Sequence, residues 1–102
     1  MPDIVVAPII VPNGTAAAPS ITFRYRSDMG IYRPGAGHVF GIAIRGLDAM
    51  RITGVASAVN YWSFTNSITA GVLLVAAAGD DTNIGIDIDG KGSGAVRINA
   101  TG

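Results

Sequence analysis

Apolar and polar positions alternate along much of this chain with a period of two, the period of a half-buried strand rather than of a helix. From Ser20 to Arg26, Ile21, Phe23 and Tyr25 fall on one side and Thr22, Arg24 and Arg26 on the other. From His38 to Ile44, Phe40, Ile42 and Ile44 oppose Val39, Gly41 and Ala43. The small residues of the second set leave room for another backbone to approach closely. From Ala58 to Phe64, Trp62 and Phe64 share a side opposite Val59 and Tyr61. Ile84, Ile86 and Ile88 alternate with Gly85, Asp87 and Asp89, and Val96 and Ile98 alternate within Ala95–Asn99. One run breaks the rule. Val72–Ala78 is continuously apolar, which fits a strand buried on both faces or a short buried helix, since Leu and Ala favour one; the bracketing glycines and the short run favour the strand.

Turn chemistry separates these segments. Ser27-Asp28-Met29-Gly30 predicts a turn, Ile31-Tyr32-Arg33 a short strand, and Pro34-Gly35-Ala36-Gly37 the stop after it. Arg45-Gly46-Leu47-Asp48 turns the chain into Ala49–Thr53, and Gly90-Lys91-Gly92-Ser93-Gly94 turns it into the last strand. Short strands recurring every 8 to 12 residues or so predict an all-β fold. The first residues differ. Pro2, Pro8 and Pro12 interrupt an apolar stretch, which argues against a helix or a central strand there and allows an edge strand or an unpaired extended segment. The expected organisation is an extended N-terminal arm over residues 1–15 and a single β-rich domain over 16–102. Ile4, Val5, Val6, Ile9, Ile10 and Val11 of the arm have no local partner, and are expected to lie on another subunit or on a larger assembly.

Composition sharpens this expectation. Of 102 residues, 49% are hydrophobic and 14% charged, well below the roughly 25% charged of an ordinary domain. A sphere this small cannot hide so much apolar surface, and the surplus points to a protein interface. No apolar run approaches the roughly 20 residues of a spanning helix, so a membrane partner is not expected. Formal net charge is zero, which provides no bulk attraction to nucleic acid. The absence of cysteine excludes disulfides and thiolate metal sites. There is neither Glu nor Gln and only one Lys, which removes several of the best helix formers, while fourteen glycines favour turns.

Candidate chemistry is sparse. Gly35-Ala36-Gly37-His38-Val39-Phe40-Gly41 places its third glycine one position late for a dinucleotide loop, and no acid follows at the required distance. Asp80, Asp81, Asp87 and Asp89 lack the spacing and the terminal Glu of a calcium loop and read as a solvated face. His38 is the only histidine, which leaves a triad or metal centre without its partners. Asn13-Gly14-Thr15 and Asn99-Ala100-Thr101 match glycosylation sequons but have no secretion signal beside them. Glycoside hydrolysis wants paired carboxylates; without Glu only Asp pairs remain, and none sits in an evident pocket. No catalytic, cofactor-binding or metal-binding residue is therefore expected, and the chain is not expected to be an enzyme. Arg24, Arg26 and Arg33 lie near Tyr25 and Tyr32 and form a candidate surface for a glycan or a nucleic acid, to which Trp62 adds a further ring for stacking on sugars. The plainer reading pairs these arginines with Asp28 or Asp48 across a subunit interface.

Two blocks of the chain resemble structural appendage proteins of tailed bacteriophages. The first covers AAAPSITF, SDMGIYRPGAG, HVF and MRI between Ala16 and Ile52; the second is DDTNIGIDIDGKGSGAVRIN, Asp80 to Asn99. This chain departs from the pattern in placing Arg24-Tyr25-Arg26 ahead of Ser27-Asp28, where acidic relatives have Ser and Asp. The resemblance implies a homotrimer of short, interwoven strands in a β-sandwich, β-prism or β-helix-like assembly on the virion exterior. It implies a capsid decoration or cement protein, or a short head fibre, with the major capsid protein or another virion protein as partner. The alternative it implies is a tail-fibre or tailspike component that binds a host-surface glycan. In either case the protein is made in the bacterial cytoplasm.

Overall fold

The computed structural model describes residues 8–35 and 37–100. Among them there is no helix. Six strands form two antiparallel sheets: β1 (Ile21–Phe23), β2 (Arg26–Tyr32), β3 (Val39–Ile44) and β4 (Leu47–Thr53) in the order β1-β2-β3-β4, and β5 (Asn60–Thr65) with β6 (Leu74–Gly79). The all-β expectation holds. The chain divides into two compact units between Ala56 and Ser57, one holding each sheet.

The first sheet is a meander whose turns follow local backbone chemistry. Arg45 and Gly46 both have positive φ, 58° and 76°, the signature of the two-residue hairpin turn whose twist matches the flanking strands. The Arg24-Tyr25 turn lacks positive φ, and the register beside it breaks: Thr22 faces Gly30, but Phe23 faces Arg26. The Thr22 hydroxyl spans the break, 2.8 Å from the Met29 carbonyl oxygen and 3.0 Å from that of Arg26. Ser27–Gly30, expected as a turn, therefore runs as part of β2, and the chain reverses four residues earlier, at Arg24-Tyr25. Ala49 is an extra residue in β4, since Ile42 faces Met50 while Ala43 faces Asp48.

The two faces of this sheet differ sharply. On one, Gly30, Tyr32, Gly41 and Ala43 are buried, with Tyr32 5% and Ala43 0% exposed. A Cβ on Gly41 would stand 2.8 Å from the Tyr32 ring and 3.1 Å from Pro34 Cδ, so the ring lies on bare backbone. The residues before β1 fold back over this face. Gly14 bridges Pro19, Thr15 and Ala18 exchange backbone hydrogen bonds at 3.0 and 3.2 Å, and the Arg33 N–H donates to the Asn13 carbonyl at 2.8 Å. The close approach that Gly41 permits is made by a side chain of the same sheet.

The second unit is thinner. Its six-residue ladder runs from Asn60–Gly79 to Thr65–Leu74. β6 forms where the apolar run predicts a strand, but it is not buried on both faces within the chain: Leu74 and Val75 are about half exposed, and only Ala76–Ala78 are half-buried. With one neighbouring strand each, both edges of the ladder are open among the described residues, and Ile84–Asp87 approach it only in a shallow groove beside Asn60, Trp62 and Ala77. Residues 84–88 and 95–99, patterned as strands, pair with nothing among the described residues. Alternation specifies a face; it does not supply a backbone partner.

Candidate functional site

Cross-strand partners in a sheet point to the same side, so the ladder registers define the uncovered face of the first sheet. One row runs Ile21, Ile31, Ile42, Met50; Phe40 pairs with Ile52, and Ile44 with Leu47. Every one of these residues is apolar, and none is buried. Ile52 is 57% exposed and Leu47 70%. Nothing among the described residues covers this face. β4 is also an edge strand, and all seven of its residues are exposed. The side of this edge that carries Leu47, Met50 and Ile52 is wholly apolar, a surface that isolated proteins avoid leaving open, while Asp48 and Arg51 lie on the other side.

The second unit repeats the arrangement on a smaller scale. Trp62 and Phe64 share a side of the ladder, their ring centroids 6.4 Å apart and tilted by 46°. Phe64 is 76% exposed. Taken whole, the chain presents 9297 Å² to solvent. A folded monomer of its 10.4 kDa mass presents about 5,400 Å². The surplus of about 3,900 Å² per chain exceeds the share of one chain in an obligate subunit interface, which buries about 2,000–5,000 Å² summed over both partners.

Within the first unit, the residues expected to recognise a ligand are spread over both ends of β2. Arg24, Tyr25 and Arg26 sit at the exposed tip of the β1–β2 hairpin, where the Arg26 guanidinium donates to the Tyr25 carbonyl at 2.8 Å. Tyr25 and Arg26 line a shallow groove with Asp28, Met29, Ile44 and Arg45. Arg33 is turned onto the next loop, its Nε and an Nη donating to the Gly37 carbonyl at 3.1 and 2.8 Å. Tyr32 is a correction to the sequence reading: it is the largest buried side chain of the first unit and offers no ring face to a ligand. Its alternation partner in β2 is Gly30, so the side it occupies is the small-residue side, which is covered. Trp62 belongs to the second unit, in a shallow groove with Asn60, Tyr61, Ala77 and Ile84–Asp87.

Of the arm residues, Ile4, Val5 and Val6 lie outside the described residues, whereas Ile9 and Ile10 are 90% and 86% exposed and Val11 is partly so. The described ion pair joins Arg51 Nη2 to Asp48 Oδ2 at 2.8 Å, both side chains on the covered side of β4 and well exposed. Asp48 thus already has a partner within its own strand. Asp81 accepts a hydrogen bond from Asn60 Nδ2 at 2.8 Å, and its N–H donates to Asn60 Oδ1 at 3.3 Å, tying the end of β6 to the start of β5. No group of three or more His, Asp or Glu side chains with metal-holding geometry occurs among the described residues. His38 contributes its backbone carbonyl to the Gly54 N–H at 2.7 Å. Among the described residues no helix is long and apolar enough to cross a membrane.

What sequence reasoning missed is the β4 edge and the row it completes. The signal was there in Leu47, Met50 and Ile52, but the Ala49 bulge puts Leu47 and Met50 on one side despite their odd spacing. Compared with protein-family models, curated proteins and solved structures, the chain matches none.

Proposed function

We propose that this chain is a structural subunit whose apolar sheet faces are covered by copies of itself, in a homotrimer on the outer surface of a phage particle. The observation that carries the self-association is the unbroken apolar face of the first sheet, with the surplus of exposed surface behind it. Burying apolar area is worth about 25 cal/mol per Å², so even a fraction of that surplus outweighs the entropic cost of association. The virion setting comes from the resemblance of the GIYRPG…MRI and DTNI…KGSGAVRI segments to phage appendage proteins. Within that setting the chain is a capsid decoration or cement protein, or a short head fibre, docking on the major capsid protein or another virion protein. The exposed Ile9 and Ile10 support a docking role for the arm. Neither nucleic acid nor membrane is a partner in this reading, and no reaction is catalysed.

A second reading keeps one specific observation. Tyr61 and Trp62, with Asn60 and Asp87, line an open groove in which an aromatic ring and polar groups meet, the chemistry that holds a sugar. In that case the chain is a tail-fibre or tailspike component recognising a host glycan. One experiment separates the two. Particles stripped of the protein should rupture at lower temperature and adsorb to host cells at an unchanged rate, because a cement protein stabilises only the assembled shell. Unchanged heat resistance with lost adsorption would overturn the cement reading in favour of the receptor-binding one.

A further inference from the structure

The chain after β6 holds a closed turn whose two arms have nothing to pair with. The Gly94 N–H donates to the Lys91 carbonyl at 2.9 Å, Gly92 has φ of 61°, and a Cβ on Gly90 would run into the Gly94 carbonyl. Only glycine backbone closes the turn this tightly. On either side of it, Ile84, Ile86 and Ile88 alternate in one arm and Val96 and Ile98 in the other. Among the described residues, neither arm makes a backbone hydrogen bond, and Ile86, Ile88, Val96 and Ile98 are exposed. Backbone donors and acceptors beside such apolar side chains are satisfied only by water, although the pattern is that of a half-buried strand.

In the same unit, β5 and β6 form a sheet of two strands with no further strand on either edge among the described residues. A lone two-stranded ladder is marginal in water; independent stability needs a third strand or a covering layer. The unit therefore has strand-patterned arms without a ladder and a ladder without outer strands. We propose that residues 84–89 and 95–98 become strands on assembly by pairing with the sheet of a second copy of this chain. This rests on the self-association reading and adds to it the segment exchanged. A second copy is the occupant because each chain carries both halves of what is missing. Each can donate an arm and receive one, the head-to-tail relation that closes into a ring of identical subunits. The exposed Ile86, Ile88, Val96 and Ile98 are part of the surplus surface of the chain, and such an exchange buries them. With Ile84, Ile86 and Ile88 turned into the joint, Asp87 and Asp89 face water. Their charge keeps the added strand from recruiting another on that side.

The test is amide hydrogen exchange read by mass spectrometry on the full chain. It is run at a concentration where light scattering gives the oligomer and again after dilution to the monomer. The amides of 84–89 and 95–98 should be protected roughly 100-fold or more in the oligomer, as strand amides are, and should lose that protection on dilution. An oligomer with these amides unprotected overturns the proposal and leaves self-association standing. Equal protection in oligomer and monomer means pairing within one chain and also overturns it. A monomer at every concentration removes the self-association reading and this proposal together. Ile86→Pro, which deletes one strand donor, should strip the protection of the 84–89 amides in the oligomer; retained protection there would contradict the pairing. If that variant fails to fold, the exchange of the natural protein decides.

Discussion

Replacing Tyr32 with alanine should unfold the first unit under mild conditions. The side chain is 5% exposed, and its ring rests on the backbone of Gly41 against Pro34. Removing a buried aromatic ring costs about 3–5 kcal/mol through lost transfer energy and the cavity left behind. A unit of this length has about 3–8 kcal/mol of stability in all, by the usual per-residue range. The substitution therefore removes most of what holds the sheet to its covering loop. In melting temperature, a loss of 3 kcal/mol corresponds to a fall of at least about 12 °C. The assay is urea denaturation followed by far-ultraviolet circular dichroism at fixed protein concentration, since assembly makes the midpoint concentration-dependent. Trp62 fluorescence follows the second unit separately, because it is the only tryptophan. Tyr32→Phe is the control. The hydroxyl makes no protein hydrogen bond among the described residues, so this change should stay within about 0.5 kcal/mol. If Tyr32→Ala melts at the natural midpoint, the ring is not the core of this unit and the burial argument fails.

Other perturbations probe the remaining parts of the account. Gly41→Ala drives a methyl into the Tyr32 ring and Pro34, and should destabilise the first unit by about 1–3 kcal/mol in the same urea assay. Arg45→Asn places a residue that tolerates positive φ at a hairpin position with φ of 58°, and should raise stability by a few tenths of a kcal/mol; a clear loss would contradict the turn assignment. Addition of a chelator should leave the melting temperature and the oligomeric mass unchanged, as no described acidic cluster has the geometry of a calcium site; a fall in either would reinstate a bound ion.

The all-β character could be read from alternation and turn residues alone, because both act within a few positions along the chain. The strands around Val39–Ile44 and Asn60–Thr65 lie close to where Phe40, Ile42, Trp62 and Phe64 place them. Features that depend on what faces a strand were harder to read. Tyr32 looks like an exposed aromatic beside two arginines until Gly41 is found directly opposite, leaving room for its ring. Ser27–Gly30 has turn composition, but the Thr22 hydroxyl bridges the register break and lets the segment run on as strand. The uncovered face depends on the Ala49 bulge, which no periodicity of two would reveal. Residues 84–98 show the converse: the strand pattern of Ile84, Ile86, Ile88, Val96 and Ile98 was plain, and among the described residues no strand pairs with them.

Sedimentation equilibrium of the full chain at micromolar concentration tests the central claim most directly. If the apolar faces are covered by copies of the chain, the protein should sediment at three times the 10.4 kDa chain mass. The association should also be insensitive to added salt, since the face of Ile21, Ile31, Phe40, Ile42, Met50 and Ile52 carries no charge. A folded species of 10.4 kDa that stays monomeric with those side chains in water would contradict it.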